Sequence, residues 1–369
     1  MNADMDCWTS STPAFKRVPA QWGTMGKGPA VVSFEADPAS KLVRGLPAPR
    51  ATPTFQMESQ EVGPPIRVHL IINPFAGRKR ATSIASSVEQ GLSAAGVEVI
   101  LHQTEAPGDA IGMIGALDLK PGDAIAAIGG DGTMSEVITG MMTHLEDPRR
   151  VPIALVPAGT GNSQANDLAI STVADAVGRI LAGRAHDLDI ASVSLHEGLG
   201  GDGRRITRHC HNLVGWGLGV DSTIIAERLR FFGRMRYDIG IILTILRGRR
   251  RPARLILDGH VLDDDYTLLL VQNNRTGGSG LPLAPGASVD DGVMDIGILR
   301  RMTRRGVLRA FSLLKRDGRH VYLPDVTYHR FKTLRIETDH PTAINIDGEN
   351  VGTTPLEMTV LPAALRIFA

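Results

Sequence analysis

The sequence predicts two folded domains, an α/β domain built on a parallel sheet and then an antiparallel β domain, behind an extension without regular structure. Three observations predict this. Over 66–187, short apolar runs rich in β-formers alternate with helical stretches, the pattern of a parallel sheet covered on both faces. Over 188–369, strands follow one another almost without helices. Before residue 66 no periodicity is sustained. The length of 369 residues supports about two domains, and an apolar content of 43% is enough for a core in each.

Residues 1–65 are rich in Pro, Ala, Ser and Thr and include GLPAPRATPTF, which cannot continue a helix or a central strand. They are read as a disordered extension. Four strands follow, IRVHLII (66–72), VEVIL (97–101), DAIAAI (123–128) and VPIALV (151–156), with helices between them such as 82–95 and 134–143. In the second domain the strands are DIASVSL, HCHNLVGW, ARLILDG, YTLLLVQN, VMDIGIL, TLRIET and TAINIDG, interrupted by helices over 222–246 and 304–314. The glycine-rich GLGGDG (198–203) lies between two of these runs and reads as a hairpin loop.

Composition excludes several functions. A net charge of +1 from 40 basic and 39 acidic residues gives no general attraction to nucleic acid. Cys7 and Cys210 make neither a disulfide framework nor a zinc set, and a reducing compartment fits them best. No run reaches the roughly 20 apolar residues that span a bilayer. MNADMDCWTSSTPAF is acidic and polar where a signal peptide would be basic and then apolar. A cytoplasmic protein is expected.

The chemistry concentrates in AIGGDGTMSEV (127–137). Gly129, Gly130 and Gly132 end the third strand at the carboxyl edge of the sheet, where ligands of open α/β folds bind. Glycines expose backbone N–H groups, and the start of the following helix favours a phosphate. Asp131 would repel that phosphate. A carboxylate there suggests a second task, binding Mg²⁺ or accepting a proton from an attacking hydroxyl, and so phosphoryl transfer. The plainer alternative is a tight turn with Asp131 as an N-cap. Two more loops should converge on the same crevice: INPFAGRKR (72–80) after the first strand and VPAGTGNSQANDLA (156–169) after the fourth. Neither is a Walker A loop or a G-x-G-x-x-G fingerprint.

With GGDGTMSEVITGMM, VPAGTGNSQA, VGWGLGVDSTIIAERLRFFGRMRYD, LPLAPGASVDDGVMDI and NIDGE in that order, residues 66–369 resemble the diacylglycerol kinase-like lipid kinases, nearest the sphingosine kinase and ceramide kinase branch. The resemblance implies a two-domain lipid kinase fold with a C-terminal antiparallel β-sandwich and ATP with Mg²⁺ in the interdomain cleft. It implies transfer of the γ-phosphoryl group to the primary hydroxyl of a sphingoid base, with ceramide or diacylglycerol as close alternatives. NAD kinases share the GGDGT turn, but their paired Asn-Glu motif is missing here. An inactive membrane-binding or partner-binding module is the third reading, and the retained Asp131, Glu349, Asn73 and arginines stand against it.

Residue by residue, the resemblance puts Gly129, Gly130, Gly132, Asn73, Thr104, Arg230 and Arg236 on the nucleotide, the arginines as guanidinium forks for its phosphates. Asp131 is implied as the general base, with Glu136 one turn on, and Glu349 of NIDGEN is the other candidate. The resemblance also puts Asp347 and Gly348, which complete that turn, on the nucleotide; from the residues alone the turn reads as a type I′ hairpin. Asp189, Asp290 and Asp291 match acids that organise a structural metal; from the residues alone they read as turn acids. Asp221, Thr223 and Glu227 match positions near the lipid head group. Thr223 stands where sphingosine kinases carry a second acid, and a hydroxyl offers no charge to an ammonium ion.

A lipid substrate requires access to a bilayer. IGIILTILRGRRRPAR joins a short apolar helix to Arg247, Arg249, Arg250, Arg251 and Arg254, a combination suited to peripheral docking on anionic membranes. A core helix followed by a solvated loop is the alternative. RRMTRR (300–305) reads as a solvated helix start. No nucleic acid partner is expected, and a homodimer is allowed for.

Overall fold

The computed structural model describes residues 59–369 except 77–79, 160–161, 201–202, 230, 232, 234 and 279, and the side chains of residues 237 and 317. The chain enters through β1 (Gln60–Glu61), then builds β2 (Arg67–Ile72), α1 (Ala81–Ser93), β3 (Glu98–Gln103), α2 (Asp109–Gly115), β4 (Asp123–Gly129), α3 (Asp131–His144), β5 (Ile153–Pro157), α4 (Ser163–Asp167) and α5 (Val173–Ala182). Strands β3-β2-β4-β5 lie side by side and parallel. Every residue of β4 is buried, which is why DAIAAI reads as one continuous apolar run. Small residues set the helix spacing: a Cβ on Gly140 of α3 would lie 2.9 Å from Ile114 of α2, and one on Gly91 of α1 3.1 Å from Val177 of α5.

The second half comprises β6 (Arg184–Glu197), β7 (Arg205–Cys210), β8 (Leu213–Gly217), α6 (Leu218–Arg228), α7 (Met235–Arg247), β9 (Arg251–Leu257), β10 (His260–Tyr266), β11 (Leu268–Gln272), β12 (Met294–Leu299), α8 (Arg304–Asp317), β13 (Val326–Phe331), β14 (Thr333–Glu337), β15 (Ala343–Ile346) and β16 (Glu349–Phe368). It is an antiparallel β-sandwich. One layer runs β13-β12-β11-β8-β15-β16, and the other gathers β6, β7, β14, β9 and β10. Val193 and Leu195 of β6, Trp216 of β8, Leu255 of β9 and Ile296 of β12 meet between them in one buried cluster. The strands on either side of GLGGDG, β6 and β7, pair antiparallel; residues 201–202 of that segment lie outside the described residues.

Three features depart from the sequence reading. The helix expected over 222–246 is two helices, α6 and α7, and Gly233 between them takes a left-handed φ of +59°. Residues 60–61, assigned to the extension, pair with β6, and the Val62 and Gly63 amides donate to Gly183 O; residues 1–58 lie outside the described residues. Most consequentially, the division at 187/188 is crossed. The 20-residue β16 pairs with β6 along its length and with β5 at Ile367. Leu365, Ile367 and Phe368 therefore pack in the core of the parallel domain, so the chain's last strand rivets the two domains together.

Candidate active site

The parallel sheet decides where a ligand can sit. β3 lies beyond β2 and β5 beyond β4, so the connections leaving β2 and β4 diverge and open a crevice at their carboxyl ends. The Asn73 amide, just after β2, donates to Ile128 O of β4 at 3.2 Å, and its Nδ2 donates to Thr133 Oγ1 at 3.4 Å. The glycines are required by packing. A Cβ on Gly129 would lie 2.2 Å from Thr133 Oγ1, and one on Gly159 2.5 Å from Gly130 Cα. The loops after β4 and β5 thus touch backbone to backbone.

Asp131 opens α3, and Ser163 opens α4 beside it. The Ser163 amide donates to Asp131 Oδ1 at 2.8 Å, and its hydroxyl to Oδ2 at 3.1 Å. These two bonds fix the carboxylate's orientation. Thr276 of the β-sandwich continues the chain of contacts, donating from its hydroxyl to Ser163 O at 3.3 Å and to Asp167 at 2.9 Å.

Across the crevice, Asp347 and Gly348 form the two-residue turn between β15 and β16, with φ of +50° and +98°, the positive pair a type I′ hairpin needs. The resemblance puts Asp347 on the nucleotide. Its carboxylate is instead fully buried and accepts from His211 Nδ1 at 2.9 Å and from the amides of His211, Asn212 and Leu213 at 3.2, 3.0 and 2.9 Å. Burial pushes its pKa up, but the His211 charge and these donors outweigh burial and hold it below the ordinary value. Burial pulls His211 down, and the Asp347 charge, aided by Asp131, more than restores it, leaving it raised.

Glu349, two residues on, does face the crevice. Its Oε1 lies 3.3 Å from the point where Gly132 would carry a Cβ. Partial burial raises its pKa, Glu136 and Asp347 add to the rise, and Arg208 opposes it. Glu136 is anchored by the Gly108 amide at 2.9 Å. Together Pro107, Gly108, Glu136, Arg208, Ile346 and Glu349 help line an interdomain cleft of about 200 Å³.

The other expected site residues are distributed as follows. Thr104 is buried and its hydroxyl donates to Ile72 O at 3.3 Å. Arg236 lies in the first turn of α7, and Arg230 is outside the described residues. Asp221, expected near a head group, is bound through both oxygens by Arg251 Nη2 at 2.8 Å. The Thr223 hydroxyl donates to Val220 O at 2.8 Å and bonds Asn350 Oδ1 at 3.1 Å. Glu227 is exposed on the last turn of α6.

The three acids matched to a metal do not gather as a ligand set. Asp189 is buried and accepts the Gly292 and Ala363 amides at 2.6 and 2.7 Å; burial pushes its pKa up to about 6, and Asp291 and Asp290 add to the rise. Asp290 accepts the Ser288 hydroxyl at 2.6 Å, and Asp291 is paired with Arg330 at 2.6 Å. Among the described residues no group of three or more His, Cys, Asp or Glu side chains is arranged to hold a metal ion.

Sequence reasoning had located the loop of Gly159 and Ser163 without singling out either residue. His211 lies in the strand run HCHNLVGW, where nothing local marks it as the partner of Asp347.

Residues 67–193 match the diacylglycerol kinase catalytic domain family, and residues 212–369 match the YegS C-terminal NAD kinase beta sandwich-like domain family. The chain is 30% identical over 319 residues to a diacylglycerol kinase of Mycobacterium tuberculosis, covering 85% of this chain and 97% of that one. It is 26% identical to a diacylglycerol kinase of Bacillus subtilis, covering 80% and 93%. To sphingosine kinase 1 of Arabidopsis thaliana it is 24% identical, covering 80% and 70%. The fold matches the crystal structure of a diacylglycerol kinase from Bacillus anthracis with a TM-score of 0.66 at 24% identity, covering 82% of this chain and 96% of that one.

Proposed function

Because the chain belongs to the diacylglycerol kinase-like lipid kinases, we propose that it transfers the γ-phosphoryl group of ATP to the primary hydroxyl of diacylglycerol, with Glu349 taking the hydroxyl proton. The observation that carries the choice of acceptor is the Arg251–Asp221 pair. A sphingoid base would bring an ammonium ion and need an unpaired acid beside it. Asp221 is neutralised by Arg251, and Thr223 spends its hydroxyl inside the protein. A neutral glycerolipid makes no such demand. The sphingoid base, placed first from the sequence, becomes the second reading, favoured by the exposed Glu227.

The residues divide the work by position. Gly129, Gly130 and Gly132 leave the backbone at the start of α3 open to the phosphates, and the helix terminus favours their charge. Magnesium carried on ATP needs only one or two protein carboxylates; Asp131 could supply one, leaving Glu349 for the proton, and the ion would neutralise charge on the transferring group. Asp131, held by Ser163, orients the hydroxyl. Glu349 is placed as the base because it faces the crevice beside Gly132 with its pKa raised, whereas both Asp131 oxygens already accept from Ser163. The oxygen of the acceptor attacks the γ-phosphorus, the bond to the β-phosphate oxygen breaks, ADP leaves, and the proton resides on Glu349.

The test is labelled-phosphate transfer from Mg·ATP to diacylglycerol, ceramide, sphingosine and NAD side by side, with Asp131→Asn as the blank. Labelled phosphatidic acid alone above the blank supports the reading. Labelled sphingosine with silent diacylglycerol would move the acceptor, and silence of all four would remove the proposal.

A further inference from the structure

The C-terminal end of α7 meets the N-terminal end of α8 at a second cavity of about 180 Å³, which shares no lining residue with the catalytic cleft. Its floor is apolar: Leu218, Ile245, Met302 and Val307 are all buried. Its rim is cationic, formed by Arg249, Arg250 and Arg304. The two helices run antiparallel, since Lys315 near the far end of α8 pairs with Asp238 near the start of α7 at 2.9 Å. Arg304 accordingly lies over Gly248, at the carbonyl end of α7, where a Cβ would be 3.2 Å from its Nε.

The neighbouring arginines show what is unusual here. Arg251 is matched by Asp221, Arg300 by Asp264 and Arg301 by Asp265. Among the described residues, Arg249, Arg250 and Arg304 pair with no carboxylate; Arg250 only donates to Met302 O at 3.4 Å. Three unmatched guanidiniums over a shallow apolar floor form a receptor for a phosphate-like anion. The surroundings say where that anion comes from. Ile242, Leu243 and Leu246 of α7 and Leu308 of α8 are 44%, 38%, 54% and 41% exposed, beside exposed Arg247, Arg305 and Arg309. A soluble phosphate would use the arginines and leave these leucines unexplained. A phospholipid uses both, with its phosphodiester among the guanidiniums and its chains running into the bilayer that takes the leucines. The cavity is smaller than the roughly 300 Å³ at which pockets enclose a whole drug-sized ligand, so it suits a head group and not an entire lipid.

We propose that Arg249, Arg250 and Arg304 form a head-group site for an anionic membrane phospholipid, separate from the catalytic cleft, that docks the enzyme on the bilayer holding its substrate. The proposal draws on the lipid kinase assignment only for the presence of that bilayer. It differs from the arginine run read in the sequence: Arg251 is removed from it by Asp221, and Arg304, from a segment read as a solvated helix start, is added.

The test is co-sedimentation of the full chain with vesicles of phosphatidylcholine alone or mixed with phosphatidylglycerol. The unmodified chain is expected to bind only the mixed vesicles. Arg249→Gln with Arg304→Gln is expected to bind them about thirtyfold more weakly, since each basic residue near an anionic surface is worth about fivefold. Leu243→Ser with Leu246→Ser is expected to weaken binding while leaving the melting temperature of the protein in place. Asp131→Asn should bind as the unmodified chain does, which separates failure of docking from failure of catalysis. Unchanged binding in the double arginine variant overturns the proposal. So does competition by millimolar inorganic phosphate that abolishes binding while the leucine variant behaves normally, because the site would then serve a soluble anion.

Discussion

Glu349 Oε1 and the missing Cβ of Gly132 are 3.3 Å apart, so the hairpin of the β-sandwich closes directly onto the glycine turn of the parallel sheet. A carboxylate whose pKa is raised by partial burial, Glu136 and Asp347 is thereby held against the start of α3. With Glu349 as the base, kcat/KM should fall with decreasing pH along a limb centred above the ordinary glutamate value. Glu349→Gln should lose the bulk of the activity together with that limb. A full pH–rate profile of both proteins checks this; an unchanged acid limb in Glu349→Gln would return the role to Asp131.

Gly159→Ala places a methyl group 2.5 Å from Gly130 Cα, a backbone atom with no rotamer to change. The expected cost is about 1–3 kcal/mol of stability and, through displacement of the glycine turn proposed to hold the phosphates, a loss in kcat/KM on the order of a hundredfold. Gly178→Ala in α5 is the control, since nothing lies within 4 Å of its Cβ position. That change should be neutral or stabilise by up to about 1 kcal/mol. Thermal melting and kinetics on both variants test the contrast.

The buried Asp347–His211 pair makes stability depend on pH in a defined window. His211 has a raised pKa, so its contribution is full below the unfolded histidine value of about 6.5 and is lost as pH rises through its folded value. Asp347 has a lowered pKa, so its contribution is full above about 3.9 and is lost as pH falls through its folded value. The pair contributes most between those limits, near pH 4 to 6.5 by the same reference values. Asp347→Asn should cost roughly 3–5 kcal/mol there, and less at pH 8. Urea unfolding across this range measures it, and a pH-independent difference would contradict the pairing.

Asp221 serves Arg251 in this structure. Asp221→Asn should therefore leave the KM for diacylglycerol nearly unchanged and cost no more than about 1 kcal/mol of stability, the usual worth of a partly exposed pair. A large rise in KM, with stability intact, would place Asp221 on the substrate after all.

Much of the fold was legible because its signals are local. The four apolar runs, the helices between them and the Asp347-Gly348 turn each depend on residues a few positions apart, and strands and turn lie where that reading put them. GGDG was legible for the same reason: three glycines and an acid at a strand end constrain both backbone and chemistry. Less legible was the break between α6 and α7, where the apolar periodicity continues across a stretch that Gly233 turns.

The sequence alone determined the two-domain plan, the glycine turn with Asp131 and the class of chemistry, since these follow from periodicity and from residue types at short spacing. Only the tertiary structure decided which polar groups are free. Asp347 was removed from the ligand by His211, 136 residues away, Asp221 by Arg251, and Asp189 by two backbone amides. Arg249 and Arg304 were brought to one cavity from separate segments, and β16 carried the end of the chain into the first domain. A carboxylate or a guanidinium acts on a ligand only when the protein has not already satisfied it, and that depends on partners far along the chain whose positions no local pattern encodes.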